Sequence, residues 1–222
     1  MSGRVVVLRP EPGASATAQL ARRFGLAPIV IPLFAIEPVA WEAPDPADFD
    51  GLLLTSASAV RMAGDQLNAL RGLPVHAVGE ATAEAAREAD LEVVTVGNAG
   101  IDALLDSLPF DLKLLHLCGE DRREPSGARQ VITPVVVYRA KAIDAPDLSA
   151  IEGAVVLVHS PRAGRRLSEL VRERGSVAIA AISAAAAKAG GTGWERIEAA
   201  DAPNDEALLA LAARLCNKPP PQ

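Results

Sequence analysis

Two cysteines, three histidines and a single tyrosine in 222 residues leave little material for several kinds of chemistry. Cys118 and Cys216, with His76, His116 and His159, are too few and too scattered to build a zinc site or a disulfide framework. Cys118 falls in the apolar run LLHLCG and reads as a small buried hydrophobe. Aromatic residues make up 3% of the chain and the formal net charge is −6. The basic surplus and stacking rings of nucleic-acid binding are therefore both missing. No apolar run approaches the roughly 18 residues of a membrane span. The N-terminus has no basic region followed by an apolar stretch and a cleavage site. A soluble, cytoplasmic protein that binds neither nucleic acid nor membrane is expected. The chain also has no glycine-rich loop ending in Lys-Ser/Thr, no GxGxxG after a strand and no GxSxG elbow. Its first strand lacks the paired aspartates of a phosphorylated receiver domain.

What is present is an ordered globular composition, 50% hydrophobic and 23% charged, with a mean hydropathy of +0.19. Short β-rich apolar runs stand at 5–8, 29–33, 52–55, 75–79, 93–96, 114–118, 134–140, 155–160, 177–183 and 196–200. Ala/Leu/Arg-rich stretches of helical period separate them. Continuous apolar strands alternating with helices predict an α/β fold with parallel sheets covered on both faces.

The chain also repeats itself. At an offset of 104 residues, Leu53, Ser56, Ala59 and Arg61 fall on Leu157, Ser160, Ala163 and Arg165. Ala77, Ala81 and Ala83 fall on Ala181, Ala185 and Ala187, and Ala103, Leu104 and Leu105 on Ala207, Leu208 and Leu209. Each copy reads as a βαβαβα block preceded by a strand–helix–strand unit, residues 5–36 before the first and 114–140 before the second. Two similar domains follow. The Pro- and Asp-rich stretch 37–50 and the segment 140–153 look like the chain crossings. The expected division is residues 1–36 plus 145–222 in one domain and 45–140 in the other, with linkers at 37–44 and 141–144. The tail NKPPPQ is expected to fray.

Polar turns follow the strands in LRPEPGAS, LTSASAV, VGEATAE, CGEDRRE, HSPRAG and ISAAAAK, and each is read as opening a helix. Ligands of parallel sheets bind beyond the strand carboxyl ends, where free helix N–H groups attract anions. Six such turns are expected to face a shared cleft. Ser56, Ser160, Thr82 and Ser183 occupy cap or first-turn positions, where ordinary helix capping is the competing reading. Ser160 beside His159 is not a nucleophile–base pair, because neighbouring strand residues point to opposite faces. Of the basic residues near strand ends (Arg9, Arg61, Arg122, Arg123, Arg139, Arg162, Arg165 and Arg166), Arg9 and Arg139 directly follow strands and suit carboxylate contact. Tyr138 ends the VVVY run beside the second crossing. Two roles stay open for it: a core residue with one wet end, or a proton donor.

VVVLRPEP, GLLLTSASAV, VHAVGEATAEAARE, LLHLCGEDRRE, VVVYRA and VVLVHSPRAGRRL, in that order and spacing, resemble the uroporphyrinogen-III synthase family over nearly the whole chain. The resemblance implies two flavodoxin-like parallel-sheet domains joined by a two-stranded linker, the first domain discontinuous. It also implies conversion of hydroxymethylbilane, a linear tetrapyrrole with eight carboxylates, to uroporphyrinogen III without a cofactor or metal. Tyr138 would be the general acid, and Ser56, Thr82, Ser160 and the turn amides near Gly79, Gly119 and Ser183 would hold carboxylates, with Arg9 and Arg139 adding charge. A monomer is expected, with transient contact to the preceding enzyme. The chain departs from the family pattern at His159, at Ala184, Ala185 and Ala186, and in the connection between residues 120 and 130, which is too short and Pro-interrupted for a full crossover helix; these departures leave a non-catalytic binding or regulatory relative as the alternative.

Overall fold

A computed structural model describes residues 3–122 and 124–217; Arg123 and residues 218–222, which hold most of the tail expected to fray, lie outside the described residues. In chain order, β1 (Arg4–Val7), α1 (Gly13–Arg23) and β2 (Ala27–Val30) come first, followed by β3 (Phe34–Pro38). The middle of the chain forms β4 (Gly51–Leu54), α2 (Ala57–Met62), β5 (Val75–Val78), α3 (Glu80–Glu88), β6 (Val93–Gly97) and α4 (Ile101–Asp106). Then come β7 (Lys113–Gly119) and β8 (Val131–Ala142). The last part holds β9 (Val155–Val158), α5 (Pro161–Leu170), β10 (Ala178–Ala181), α6 (Ala184–Ala189), β11 (Arg196–Ala199) and α7 (Asp205–Asn217).

Contacts divide the chain into a split unit, Met1–Ala35 with Ala142–Gln222, and a continuous unit, Ile36–Lys141. The split unit's sheet runs β11-β10-β9-β1-β2, every described pair parallel. Numbered within that unit the order is 2-1-3-4-5, the flavodoxin-like arrangement. The continuous unit's sheet runs β3-β8-β7-β4-β5-β6, parallel from β8 to β6. Here β7 and β8 stand where β1 and β2 stand in the other sheet. The strands that carry the internal repeat, β4 and β5 against β9 and β10, thus occupy the same places in two sheets of one topology. The residues that precede the first copy in the chain, β1 to β2, pair with the second copy.

β3 pairs with β8 at the edge of the second sheet. The Val39 N–H donates to Val137 C=O and the Ile143 N–H donates to Leu33 C=O, each at 2.9 Å, so the two strands run antiparallel. This partner lets β8 continue to Ala142, and Tyr138 and Arg139 therefore lie inside a strand, not at its end. A second expectation also fails. Between β7 and β8 no helix forms among the described residues, so 114–140 is not strand–helix–strand and CGEDRRE opens no helix. The connection is short and Pro125, which lacks an N–H, interrupts it.

Leucine alternation along β4 shows why this sheet is buried on both faces. Leu52 and Leu54 join Val75, Ala77, Leu115 and Leu117 beneath Ala59 and Val60 of α2 and Ala83 and Ala86 of α3. Leu53 points the other way, to Ile101, Leu104 and Leu105 of α4 and to Leu114. Each leucine so buried contributes about 1.5–3 kcal/mol.

The split unit holds a half-buried polar cluster at its strand ends. Arg9 Nη1 donates to both carboxylate oxygens of Asp205, at 3.3 and 3.4 Å, and to Thr17 Oγ1 at 3.3 Å. Thr17 donates to Asp205 at 2.6 Å. The ring nitrogens of His159 are buried, with Nε2 3.3 Å from Asp205 Oδ1, within ion-pair distance although off the line of a hydrogen bond. Burial alone would raise the Asp205 pKa. The contacts of His159 and Thr17 and the charge of Arg9 outweigh it and hold the carboxyl at about 2. The carboxylate therefore stabilises the folded state above the unfolded value of 3.8, and that contribution is lost as pH falls toward 2. Asp205→Asn is expected to cost about 1–3 kcal/mol at pH 7. In denaturant melts, wild type and variant should converge on acidification through this window; a constant gap would contradict the cluster's role.

Candidate functional site

In the continuous unit, a cavity of about 320 Å³ opens at the carboxyl ends of the strands. Thr55 and Ser56 follow β4, Val78 ends β5, Gly119 ends β7, Asp121 and Arg122 follow it, and Tyr138 comes from β8; Gly100 and Ile101 at the start of α4 complete the wall. Parallel strands all end on the same side of a sheet, so residues far apart in sequence meet there.

Ser56 Oγ accepts from the Ser58 N–H at 3.2 Å and caps α2. A serine in this role spends a lone pair on its own helix and keeps its O–H free to donate outward. Capping and carboxylate binding are therefore compatible in one residue. Gly79, with φ of 83°, and Gly100, with φ of 93°, cap α3 and α4 in a backbone conformation that side chains disfavour. Thr82 is buried in the first turn of α3.

Three residues not chosen as site residues from the sequence, Thr55, His116 and Arg122, enter beside Ser56. Thr55 Oγ1 lies 3.0 Å from Nε2 of His116, a buried side chain on β7. Burial, and secondarily the nearby Arg122 charge, lower the His116 pKa from 6.5 to about 4, so the ring is neutral at pH 7. In the tautomer with Nε2–H, His116 donates to Thr55 and frees the Thr55 O–H to point into the cavity. The β4–β7 register, Leu53 opposite His116, creates this pairing, and only the folded sheet discloses it. The third is Arg122, paired with Glu124 at 3.2 Å. Its place among the strand-end arginines was a legible signal.

The two arginines favoured from the sequence are already engaged elsewhere. Arg139 pairs with Glu37 on β3 at 3.3 Å, and Arg9 with Asp205 as described. In the split unit, Ser160 Oγ caps α5 by accepting from the Ala163 N–H at 3.1 Å, and Ser183 Oγ caps α6 through the Ala186 N–H at 3.3 Å. Arg9, Ser160 and Ser183 follow β1, β9 and β10, three neighbouring strands of one sheet. Ser56, Gly119 and Tyr138 are thus gathered in one cavity, with Gly79 next to it in sequence at Val78. Arg9, Ser160 and Ser183 form a second strand-end group. Among the described residues, no three His, Cys, Asp or Glu side chains converge to hold a metal ion, and no helix is long and apolar enough to cross a membrane.

A buried neutral histidine binds its proton in the unfolded chain first. Folded His116 therefore loses its stabilising contribution as pH falls from 6.5 toward 4, an effect of roughly 3 kcal/mol, and His76, also lowered by burial, adds in the same sense. His116→Gln should flatten the fall in unfolding free energy between pH 7 and 4 in denaturant titrations. An equally steep fall in the variant would show that His116 is not the titrating group.

A family model described as uroporphyrinogen-III synthase HemD matches residues 15–210. A uroporphyrinogen-III synthase from Chlorobaculum parvum (strain DSM 263 / NCIMB 8327) is 34% identical over 89 residues, a match that spans 36% of this chain and 36% of the relative's length. The crystal structure of uroporphyrinogen-III synthetase from Helicobacter pylori 26695 superposes with a TM-score of 0.67 at 19% identity, covering 97% of this chain and 100% of that one. A mutant uroporphyrinogen III synthase from the extremely thermophilic bacterium Thermus thermophilus aligns with a TM-score of 0.48 at 19% identity, over 95% of this chain and 97% of that one. The Helicobacter likeness shows a shared fold. With the family model matched over most of its length, the chain belongs to the uroporphyrinogen-III synthase family.

Proposed function

We propose that this protein closes hydroxymethylbilane to uroporphyrinogen III, with loss of water and inversion of the last pyrrole ring through a spiro intermediate. The observation that carries the reading is the meeting of Ser56, Gly119 and Tyr138 in one strand-end cavity of a chain whose residues 15–210 match the family.

Tyr138 delivers a proton to the departing hydroxyl, which leaves as water. Loss of that hydroxyl turns the terminal pyrrole into an electrophile, which the substituted α-carbon of the last pyrrole attacks to give the spiro intermediate. The bond from that carbon to its bridging methylene then breaks, the methylene re-bonds to the unsubstituted α-carbon of the same ring, and the proton lost there as the ring regains aromaticity returns to Tyr138. Carboxylates of the bilane meet hydroxyl and backbone N–H donors at the rim of the continuous unit: Ser56, the start of α3 at Gly79 and Thr82, and the Gly119 turn. Ser160 and Ser183 offer capping hydroxyls at the split unit's own rim. Among the described residues, Arg122 is the cation that lines the cavity itself, while Arg9 and Arg139 act from their ion pairs.

The energetic demand is small. The bilane closes spontaneously without inversion, so the protein has mainly to favour one path. A hundredfold preference needs about 2.7 kcal/mol of differential transition-state stabilisation. A few oriented hydrogen bonds at roughly 0.5–1.5 kcal/mol each supply that. Holding the chain ends at reacting distance adds the proximity advantage.

Freshly generated hydroxymethylbilane given to the protein should yield the type III isomer by chromatography. Type I product alone would overturn the proposal, and retention of the bilane without turnover would support a binding relative instead. Tyr138→Phe should lower turnover about 10²-fold, the low end of general acid catalysis, with its melting midpoint nearly unchanged. Unaltered turnover would remove Tyr138 from the acid's role.

A further inference from the structure

The glycine at 119 stands in ordinary strand conformation, so backbone freedom does not account for it. Space does. A Cβ built on Gly119 would lie 2.6 Å from Cζ, 2.8 Å from Cε2 and 2.9 Å from the hydroxyl oxygen of Tyr138, and these are its three nearest contacts. Carbon atoms pack at about 3.5–4.0 Å. Any side chain at 119 would therefore push the ring by about 1 Å or more, and the hydroxyl end would bear the displacement.

The strand register tells the same story independently. From Lys113 opposite Val131 to Cys118 opposite Val136, β7 and β8 pair residue for residue; the next pair is Gly119 with Tyr138. One residue of β8, Val137, is skipped. Val137 is fully buried in the core of the continuous unit. A strict ladder would set Val137 against Gly119 and carry Tyr138 past the end of β7. The bulge moves Tyr138 back by one position, and the Tyr138 C=O then accepts from the Glu120 N–H at 2.9 Å. Bulges beside functional sites commonly re-aim a side chain in this way.

We propose that Gly119 is a positioning residue: with the adjacent bulge it forms a bare shelf on which the Tyr138 ring rests, fixing where the hydroxyl meets the cavity. Its catalytic consequence rests on Tyr138 being the acid; its structural content does not. A methyl group at 119 leaves the cavity's other donors in place and shifts one ring. The loss should therefore fall on kcat, about 10²-fold for a displacement of this size, with KM changed by no more than a few-fold.

Because Tyr138 is the only tyrosine, protein carrying ¹³C-labelled tyrosine gives a single set of ring resonances. Gly119→Ala should move them in the full-length protein without substrate. Stability supplies a second readout that survives a poorly folding variant. Gly119→Ala should lower the melting midpoint when Tyr138 is present and lower it far less in a Tyr138→Ala background, where the ring is gone. Unmoved ring resonances, or an equal drop in both backgrounds, would overturn the shelf. Full turnover in Tyr138→Phe would remove the acid assignment instead, while moved resonances and an unequal drop would still uphold the shelf.

Discussion

Parallel strands buried on both faces leave polar groups few places besides their ends. Leu52, Leu53 and Leu54 occupy successive positions of β4 and every one is fully buried, covered by α2 and α3 on one side and α4 on the other. The first residues free to be polar are Thr55 and Ser56. The same holds at Gly119 to Arg122 after β7 and at Ser160 and Ser183 after β9 and β10. A chain with 3% aromatic residues and a net negative charge can present donors to an acidic molecule from these rims because the donors are hydroxyls and backbone amides.

The serines illustrate how one residue can cap a helix and still offer a hydroxyl donor. Ser56, Ser160 and Ser183 each accept a hydrogen bond from their own helix, which defines where that helix begins. Their hydroxyl protons remain available. Removing any one loses a cap worth about 1 kcal/mol along with a donor. Tyr138 is held differently, by the absence of a side chain across the ladder and by a one-residue slip in register.

Much of this was legible in the residues themselves. Runs such as VVLV at 155–158 are continuous and apolar because both faces are covered, and they mark the strands. The 104-residue offset that lays Leu53 on Leu157 and Ser56 on Ser160 reports the repeated topology, because the same strand end has to be capped twice. What stayed hidden depends on who sits beside whom. Arg139 reads as a residue after a strand until β3 is seen to extend β8 past it. His116 reads as one more strand residue until the register brings it to Thr55. Arg9 looks like a free cation until Asp205, 196 residues away, takes it. Gly119 looks like a turn glycine; its purpose is visible only with the ring of Tyr138 above it.

The central claim is that the strand-end rim of the continuous unit receives the carboxylates of a tetrapyrrole. Backbone ¹H–¹⁵N shift mapping with added uroporphyrinogen III tests it most directly. The account predicts that perturbations concentrate at residues 55–58, 78–82, 119–122 and 138. Perturbations confined to other surfaces, or none at saturating ligand, would contradict it.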